Sequence, residues 1–325
     1  MTSTTHELPE RADFARLVEP YRRELTALCY RMLGSVDEAE DVVQETYLSA
    51  WRAFDSYQGR ASLRTWLYRI ATRACLKALE RGVRRPLPSG LGGPSDDPDG
   101  EAPRQPEIAW LRPIPDPMVR LPDDPADTVE SRQSMRLAFV AALQHLAPRQ
   151  RAVLILRDVL AWRTSEVAEL IGTTDIAVNS ALQRARAQLK RVSPSEDTVL
   201  EPTQAQAREL LDSYTEAFQR ADIDTLTRLL TRDAVWEMPP IPVWFVGTDT
   251  IMRFLAGRVL APGRFRLLPT TANGQPAFGV YSRDAGGVHR PHALQVLSLA
   301  PAGITRIVTF HDPELIAAFA LPTTP

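Results

Sequence analysis

Apolar residues recur at three-to-four spacing from the start of the chain: Phe14, Leu17, Val18, Tyr21, Leu25, Leu28 and Met32 mark one face of a helix. Gly34 predicts its end, and Ser35 with Glu38 three residues on predicts a capping box for a second helix. A third is predicted from near Ser62, with Leu63, Trp66, Leu67, Ile70, Ala74 and Leu79 on one face. The helical period returns over residues 134–191, interrupted at Pro148, around Ala161-Trp162-Arg163 and at Gly172. After residue 205, two helices precede strand-like runs at Ala234–Met238, Phe278–Ser282, Ala293–Leu299 and Thr305–Phe310. Ala272-Asn273-Gly274 reads as a turn. The pattern is multidomain: all-α, break, all-α, break, α+β.

Proline locates the breaks. Eleven of the 27 prolines fall between Pro86 and Pro125, a density that no helix or central strand tolerates. A second break is Ser193-Pro194-Ser195-Glu196-Asp197. The expected units are therefore residues 10–86, a Pro-rich acidic linker over 87–130, residues 131–193, a short linker over 194–204, and residues 205–325. Within the long linker, Ile108-Ala109-Trp110-Leu111 is an apolar island. A free linker has no use for an exposed Trp, so this part is expected to dock.

The 325 residues are 44% hydrophobic and 24% charged, enough apolar material for buried cores. Cys29 and Cys75 lie in apolar runs and read as buried, reduced thiols, too few for a disulfide framework or a four-cysteine metal site. No metal or cofactor is expected. Met1 to Ala15 hold no apolar run like a signal peptide, and no stretch of about 18 apolar residues is present. The expectation is a soluble, cytoplasmic protein that does not engage membranes.

The net charge of −2 argues at first against a nucleic-acid partner. Its distribution argues the reverse. Residues 60–86 carry eight cations and one acid, Glu80, whereas residues 87–130 carry ten acids against Arg104, Arg112 and Arg120. Residues 131–193 carry ten cations and four acids. Arg69, Arg73, Lys77, Arg81 and Arg85 follow one another at intervals of four, which on a helix stacks them in one stripe. Such a stripe is either a solvated face or a polyanion-binding one. Solvated faces interleave acids with bases, and this one does not.

Residues 164–182 have the layout of a helix-turn-helix. Ala168 is small where two helices cross, Gly172 suits the positive φ of the turn, and Thr173 or Thr174 can cap the second helix. Three segments then resemble the sigma-70 family, especially its extracytoplasmic-function group. Asp37-Glu38-Ala39-Glu40-Asp41-Val42-Val43-Gln44-Glu45 resembles region 2.2, and Leu63-Arg64-Thr65-Trp66-Leu67-Tyr68-Arg69 resembles regions 2.3 to 2.4. Leu146-Ala147-Pro148-Arg149-Gln150-Arg151, with the helix-turn-helix and Arg184-Ala185-Arg186, resembles region 4. The likeness covers roughly residues 10–86 and 131–193, in the family's order.

That resemblance implies an alternative sigma factor without catalytic chemistry, whose partners are core RNA polymerase (the β′ coiled coil and β flap) and promoter DNA. It implies polymerase contact by Asp37, Glu38, Glu40, Asp41, Gln44 and Glu45. An acidic first helical turn is also what the helix dipole favours, which explains the first turn but not Gln44 and Glu45. Contact with the −10 element falls to Tyr57, Arg60, Ser62, Trp66, Arg69, Arg73 and Lys77, where Trp66 either wedges into DNA or belongs to the core. Many relatives have Asn and Asp where Arg73 and Lys77 stand, which strengthens phosphate contact. Contact with the −35 element falls to Thr174, Asn179, Ser180 and Arg184, with Arg186 and Lys190 on phosphates.

Residues 205–320 resemble a SnoaL-like domain, a cone-shaped α+β fold, through Leu210-Leu211-Asp212-Ser213-Tyr214, Asp233-Ala234-Val235-Trp236 and the closing strands. Tyr214, Asp233, Glu237, Tyr281, His292 and His311 are candidates to line a small-molecule pocket there. No spacing pairs a carboxylate base with a donor, so a regulatory role is favoured over catalysis. Trp110 and the acidic linker are expected docking elements, and the linker acids an expected cover for the Arg69 stripe. Two other classes stay open: a SnoaL-type isomerase or cyclase with DNA-binding modules, and a plain helix-turn-helix regulator.

Overall fold

A computed structural model describes residues 13–80, 82, 84–119, 133–192 and 202–325. Arg81 and linker residues 120–130 lie outside these. The chain forms two compact units: Met1–Arg84 with Pro117–Ser193, and Arg85–Asp116 with Pro194–Pro325.

In the first unit, α1 (Phe14–Val18), α2 (Arg22–Leu33), α3 (Val36–Ala53) and α4 (Leu63–Leu79) make one module. Leu25, Leu28, Met32, Val43, Leu67 and Ala71 bury the apolar stripes that the periodicity marks. Gly34, at φ 72°, ends α2. Ser35 Oγ accepts the Glu38 N–H at 3.4 Å, so the cap forms through the serine. Ser62 caps α4 in the same way, accepting the Thr65 N–H at 3.1 Å. Cys29 and Cys75 are buried and reduced, and their contact pushes the Cys75 thiol pKa up.

The second module comprises α5 (Leu137–Leu143), α6 (Pro148–Leu154), α7 (Thr164–Ile171) and α8 (Asp175–Val192). Helices α7 and α8 are the helix-turn-helix. Gly172, at φ 68°, makes the turn, and Ala168 is buried with Val178, Leu182 and Ala185. The two modules pack on each other. Tyr68 meets Trp162 at 5.3 Å, Arg31 donates to Ser134 Oγ at 2.8 Å, and Arg151 donates to the Met32 carbonyl and to Gln144 Oε1. Burial lowers the pKa of both Arg31 and Arg151 to about 10.

The second unit is a six-stranded sheet in the order β2-β1-β6-β5-β4-β3. Its strands are β1 (Leu230–Met238), β2 (Ile241–Val246), β3 (Phe265–Ala272), β4 (Gln275–Arg283), β5 (His289–Ala300) and β6 (Gly303–Phe310). Strand β1 runs parallel to β6; the other pairs are antiparallel. Four strands coincide with the expected runs. The other two, β2 and β3, carry Pro242 and Pro269, which argue against strands by sequence but are accommodated at the sheet edges they occupy. Asn273 and Gly274, both at positive φ, turn β3 into β4.

Helices α9 (Gln204–Arg220), α10 (Ile223–Leu229) and α11 (Thr248–Phe254) pack against one face of the sheet. Tyr214, Phe218, Trp236, Phe265 and Phe278 fill that interior. On the other face, α12 (Glu314–Ala318) and the chain after it cover β4. Gly279 there is required: a Cβ on it would lie 2.6 Å from Leu321 Cδ1.

The Pro-rich segment is divided between the units at Asp116 and Pro117. Arg85–Asp116 is a strap built into the sheet domain. Ser95 N–H donates to the Trp244 carbonyl of edge strand β2 at 2.8 Å, and Gln105 N–H to the Pro240 carbonyl in the β1–β2 turn at 2.8 Å. Ile114 exchanges bonds with Asn273, donating to its side-chain oxygen and accepting its backbone N–H, each at 3.0 Å. Arg112 pairs with Asp312 at 2.8 Å. Trp110 docks as the apolar island predicts: it is 8% exposed, with its indole N–H on the Gln105 carbonyl at 2.8 Å.

Candidate nucleic-acid interface

Helix α3 buries Ala39, Val42, Val43, Thr46 and Ala50 and turns its acids outward. Asp37, Asp41, Gln44 and Glu45 are exposed, while Glu38 and Glu40 are half-buried at the margins. Leu48 continues this face and is 56% exposed, an apolar contact point that the sequence reading missed. A ridge of carboxylates ending in an uncovered leucine suits a protein surface rather than a phosphate backbone.

At the base of α4 the rings of Tyr57 and Trp66 lie 4.9 Å apart, with Phe54 6.4 Å from each. The Tyr57 hydroxyl donates to the Ala61 carbonyl at 2.6 Å and closes the loop that presents exposed Arg60. Trp66 is half-buried, one side in this cluster, and Ser62 is exposed while serving as the α4 cap. Arg73 and Lys77 are exposed one and two turns along the same helix from Arg69.

The cationic stripe is shorter than its spacing predicts. Helix α4 ends at Leu79, and Gly82 at φ 73° redirects the chain, so Arg85 belongs to the strap instead. Arg69 pairs with Glu169 of α7 at 2.5 Å, where charge complementarity predicts a linker acid. The residue placed first in the −10 stripe is thus held by the helix-turn-helix itself.

Along α8, Thr174 Oγ accepts the Ala177 N–H at 3.3 Å, which assigns this threonine to the cap. Asn179, Arg184 and Lys190 are exposed and Ser180 is half-buried. Arg186 forms a two-bond pair with Asp158, at 2.9 and 2.7 Å, so part of its charge is neutralised. Ile176 and Gln183 also face solvent on this helix, and the sequence reading did not single them out. The helical period had no place for Ile176 in the core; that mismatch was the available signal.

The candidate pocket of the sheet domain does not assemble. Tyr214 lies in the helix-side interior and donates to Gln295 Oε1 at 2.9 Å. Asp233 is exposed. Glu237 follows Trp236 and so points to the opposite face, where it accepts Arg306 at 2.5 Å and the Ser89 N–H at 2.9 Å. Tyr281 is on that opposite face too, its hydroxyl on the Pro322 carbonyl at 2.6 Å. His292 sits between Phe265 and His311, and burial lowers the pKa of both histidines, that of His311 to about 3. Strand alternation, invisible to a list of polar residues, separates these groups. A cleft of about 450 Å³ between α9 and the β3–β4 hairpin is lined by Arg208, Asp212, Glu216 and Phe278 and by none of them.

A helix-turn-helix, a helix with an outward acidic face and an aromatic-cation face in one unit have the make-up of a transcription protein, with an α+β domain fused to it. Comparison with known proteins gives the same parts: residues 17–85 match Sigma-70 region 2, residues 136–189 match Sigma-70 region 4, and residues 211–312 match the SnoaL-like domain. The chain is 53% identical over 315 residues to the ECF RNA polymerase sigma factor SigG of Mycobacterium tuberculosis, covering 96% of this chain and 85% of that one. It is 30% identical over 258 residues to SigJ of the same species, covering 76% and 74%. The crystal structure of SigJ superposes with a TM-score of 0.62 at 22% identity, over 95% of this chain and all of that one, and shows the shared fold. The chain belongs to the extracytoplasmic-function sigma factors of RNA polymerase. Among the described residues, no helix is long and apolar enough to cross a membrane.

Proposed function

We propose that this sigma factor binds core RNA polymerase through the outward face of α3, with Asp37, Asp41, Gln44, Glu45 and Leu48 on the β′ coiled coil, and through the second module on the β flap. Tyr57, Arg60, Ser62, Trp66, Arg69, Arg73 and Lys77 engage the −10 element. Stacking on Trp66 and Tyr57 favours a base taken out of the duplex, and the cations follow the strand. Helix α8 engages the −35 element through its exposed side chains.

The SnoaL-like domain regulates rather than catalyses. Its polar candidates are divided between the two faces of the sheet, and its interior is filled by aromatic rings. The observation that carries the regulatory reading is the strap. The chain joining the two promoter-reading modules is hydrogen-bonded into the C-terminal domain from Ser89 to Asp116. Whatever state that domain adopts constrains the linker.

The test is initiation by the full chain with core polymerase on a cognate promoter, compared with the double variant Trp110→Ala, Arg112→Ala. Releasing the strap changes the yield of transcript at equal sigma occupancy. Identical yields would remove the C-terminal domain from control of initiation, and no transcript from the unaltered chain would remove the promoter-directed reading itself.

A further inference from the structure

Ile176 is the second residue of α8 and is 79% exposed, more than Leu48, Trp51, Leu91, Val246 or Val288, the other large apolar side chains in the open among the described residues. Its position gives it no structural work. Helix α8 packs through Val178, Leu182 and Ala185, and a β-branched residue in a first turn adds nothing to helix stability. The residues sharing its face, three, four and seven positions on, are exposed Asn179, half-buried Ser180 and exposed Gln183. Asp175, the helix's one acid, stands about 100° around the axis. Farther along, Arg184, Lys190 and Arg191 give the helix a basic body.

An apolar group at the N-terminal turn, amides behind it and cations beyond match what a major groove presents to an entering helix. First-turn side chains meet base edges, and phosphates lie toward the later turns. The apolar feature of a base edge in that groove is the thymine 5-methyl group, and the amide side chains of Asn and Gln suit the adenine edge. A protein partner would also cover Ile176, but it would not call for two amides and a run of cations on the same helix.

We propose that Ile176 is a specificity-determining residue: it packs on the 5-methyl group of a thymine in the −35 element, beside the base that Asn179 reads. This rests on the assignment of α8 to the −35 element. Burying one methyl-sized group is worth about a fourfold change in affinity.

The test uses the full chain with core polymerase. Promoter sequences are selected from a library randomised over the −35 window, and each thymine of the selected site is then replaced by deoxyuridine, which lacks only the methyl group. One such replacement lowers affinity about fourfold. With Ile176→Ala the same replacement has no effect, whereas Ile176→Val retains the discrimination. Circular dichroism of both variants confirms that α8 is formed. A selected site without thymine, or T/U discrimination unchanged in Ile176→Ala, overturns the proposal while leaving −35 recognition intact. A library that yields no preferred sequence in the −35 window overturns that recognition, and the proposal with it.

Discussion

Replacing Glu237 by Gln loosens the start of the strap on the sheet, at Ser89, with almost no change in volume. Glu237 is fully buried, and its two oxygens hold Arg306 at 2.5 Å and the Ser89 N–H at 2.9 Å. Glutamine keeps only one acceptor oxygen where the carboxylate uses two, so either the Ser89 N–H or the Arg306 guanidinium is left facing an NH2 group, and Arg306 loses its counter-charge in both cases. Removing one partner of a buried pair costs about 3–5 kcal/mol. The Arg306 side chain is 25% exposed and can draw water, which brings the cost below that range, to about 2–3 kcal/mol. At a urea dependence of about 2 kcal/mol per molar, the unfolding midpoint of the C-terminal unit falls by about 1 M. The two units need not unfold together, so the transition is followed by hydrogen exchange of β1, β6 and residues 86–91 rather than by whole-chain fluorescence. Exchange at Ser89 and its neighbours quickens before the sheet opens. A midpoint within about 0.2 M of the parent, with strap exchange unchanged, would refute the claim that this carboxylate ties the linker to the sheet.

Two further outcomes are expected. Glu169→Ala releases Arg69, so the free protein binds DNA more tightly and its log-affinity against log-salt slope steepens by about one phosphate contact. The pair is exposed on the Glu169 side and contributes at most about 1 kcal/mol to stability. An unchanged slope would mean that Arg69 does not reach phosphate. The second outcome concerns His311, whose pKa is held at about 3 by burial, with His292 and Arg104 adding to the effect. The unfolded chain takes up its proton near pH 6.5 and the folded chain does not, so stability is complete above about 6.5 and is lost progressively toward pH 3. At pH 5 the loss amounts to about 2 kcal/mol, and His311→Phe should remove that part of the acid sensitivity of the melting temperature. Parallel pH profiles for parent and variant would dismiss His311 as its source.

Much of this protein is local and was legible without coordinates. Helices α2, α3 and α4 follow from three-to-four apolar spacing, with Gly34, Ser35 and Ser62 at their ends. Gly172 and Ala168 announce the helix-turn-helix because a tight turn and a close crossing each admit few residue types. Segregated charge marked the basic modules before any fold was known. All these signals act over a few residues, a range that sequence spacing records directly.

What the tertiary structure decided involves partners far apart in the chain. Arg69 meets Glu169 a hundred positions away, and Ile114 meets Asn273 across 159. Neither pairing has a period or spacing that could declare it. Proline density correctly excluded α-helix and strand from the described part of the linker, residues 87–119, but it is silent about a segment whose backbone bonds are made by another domain. The candidate pocket failed for a related reason. Which face a strand residue takes depends on pairing register and on what covers each side, so Glu237 turns away from the interior that Trp236 and the helix residue Tyr214 share. Sequence determined the elements and the charge each carries. Only the fold decided which charges are neutralised, which faces are covered, and that Ile176 is left in the open.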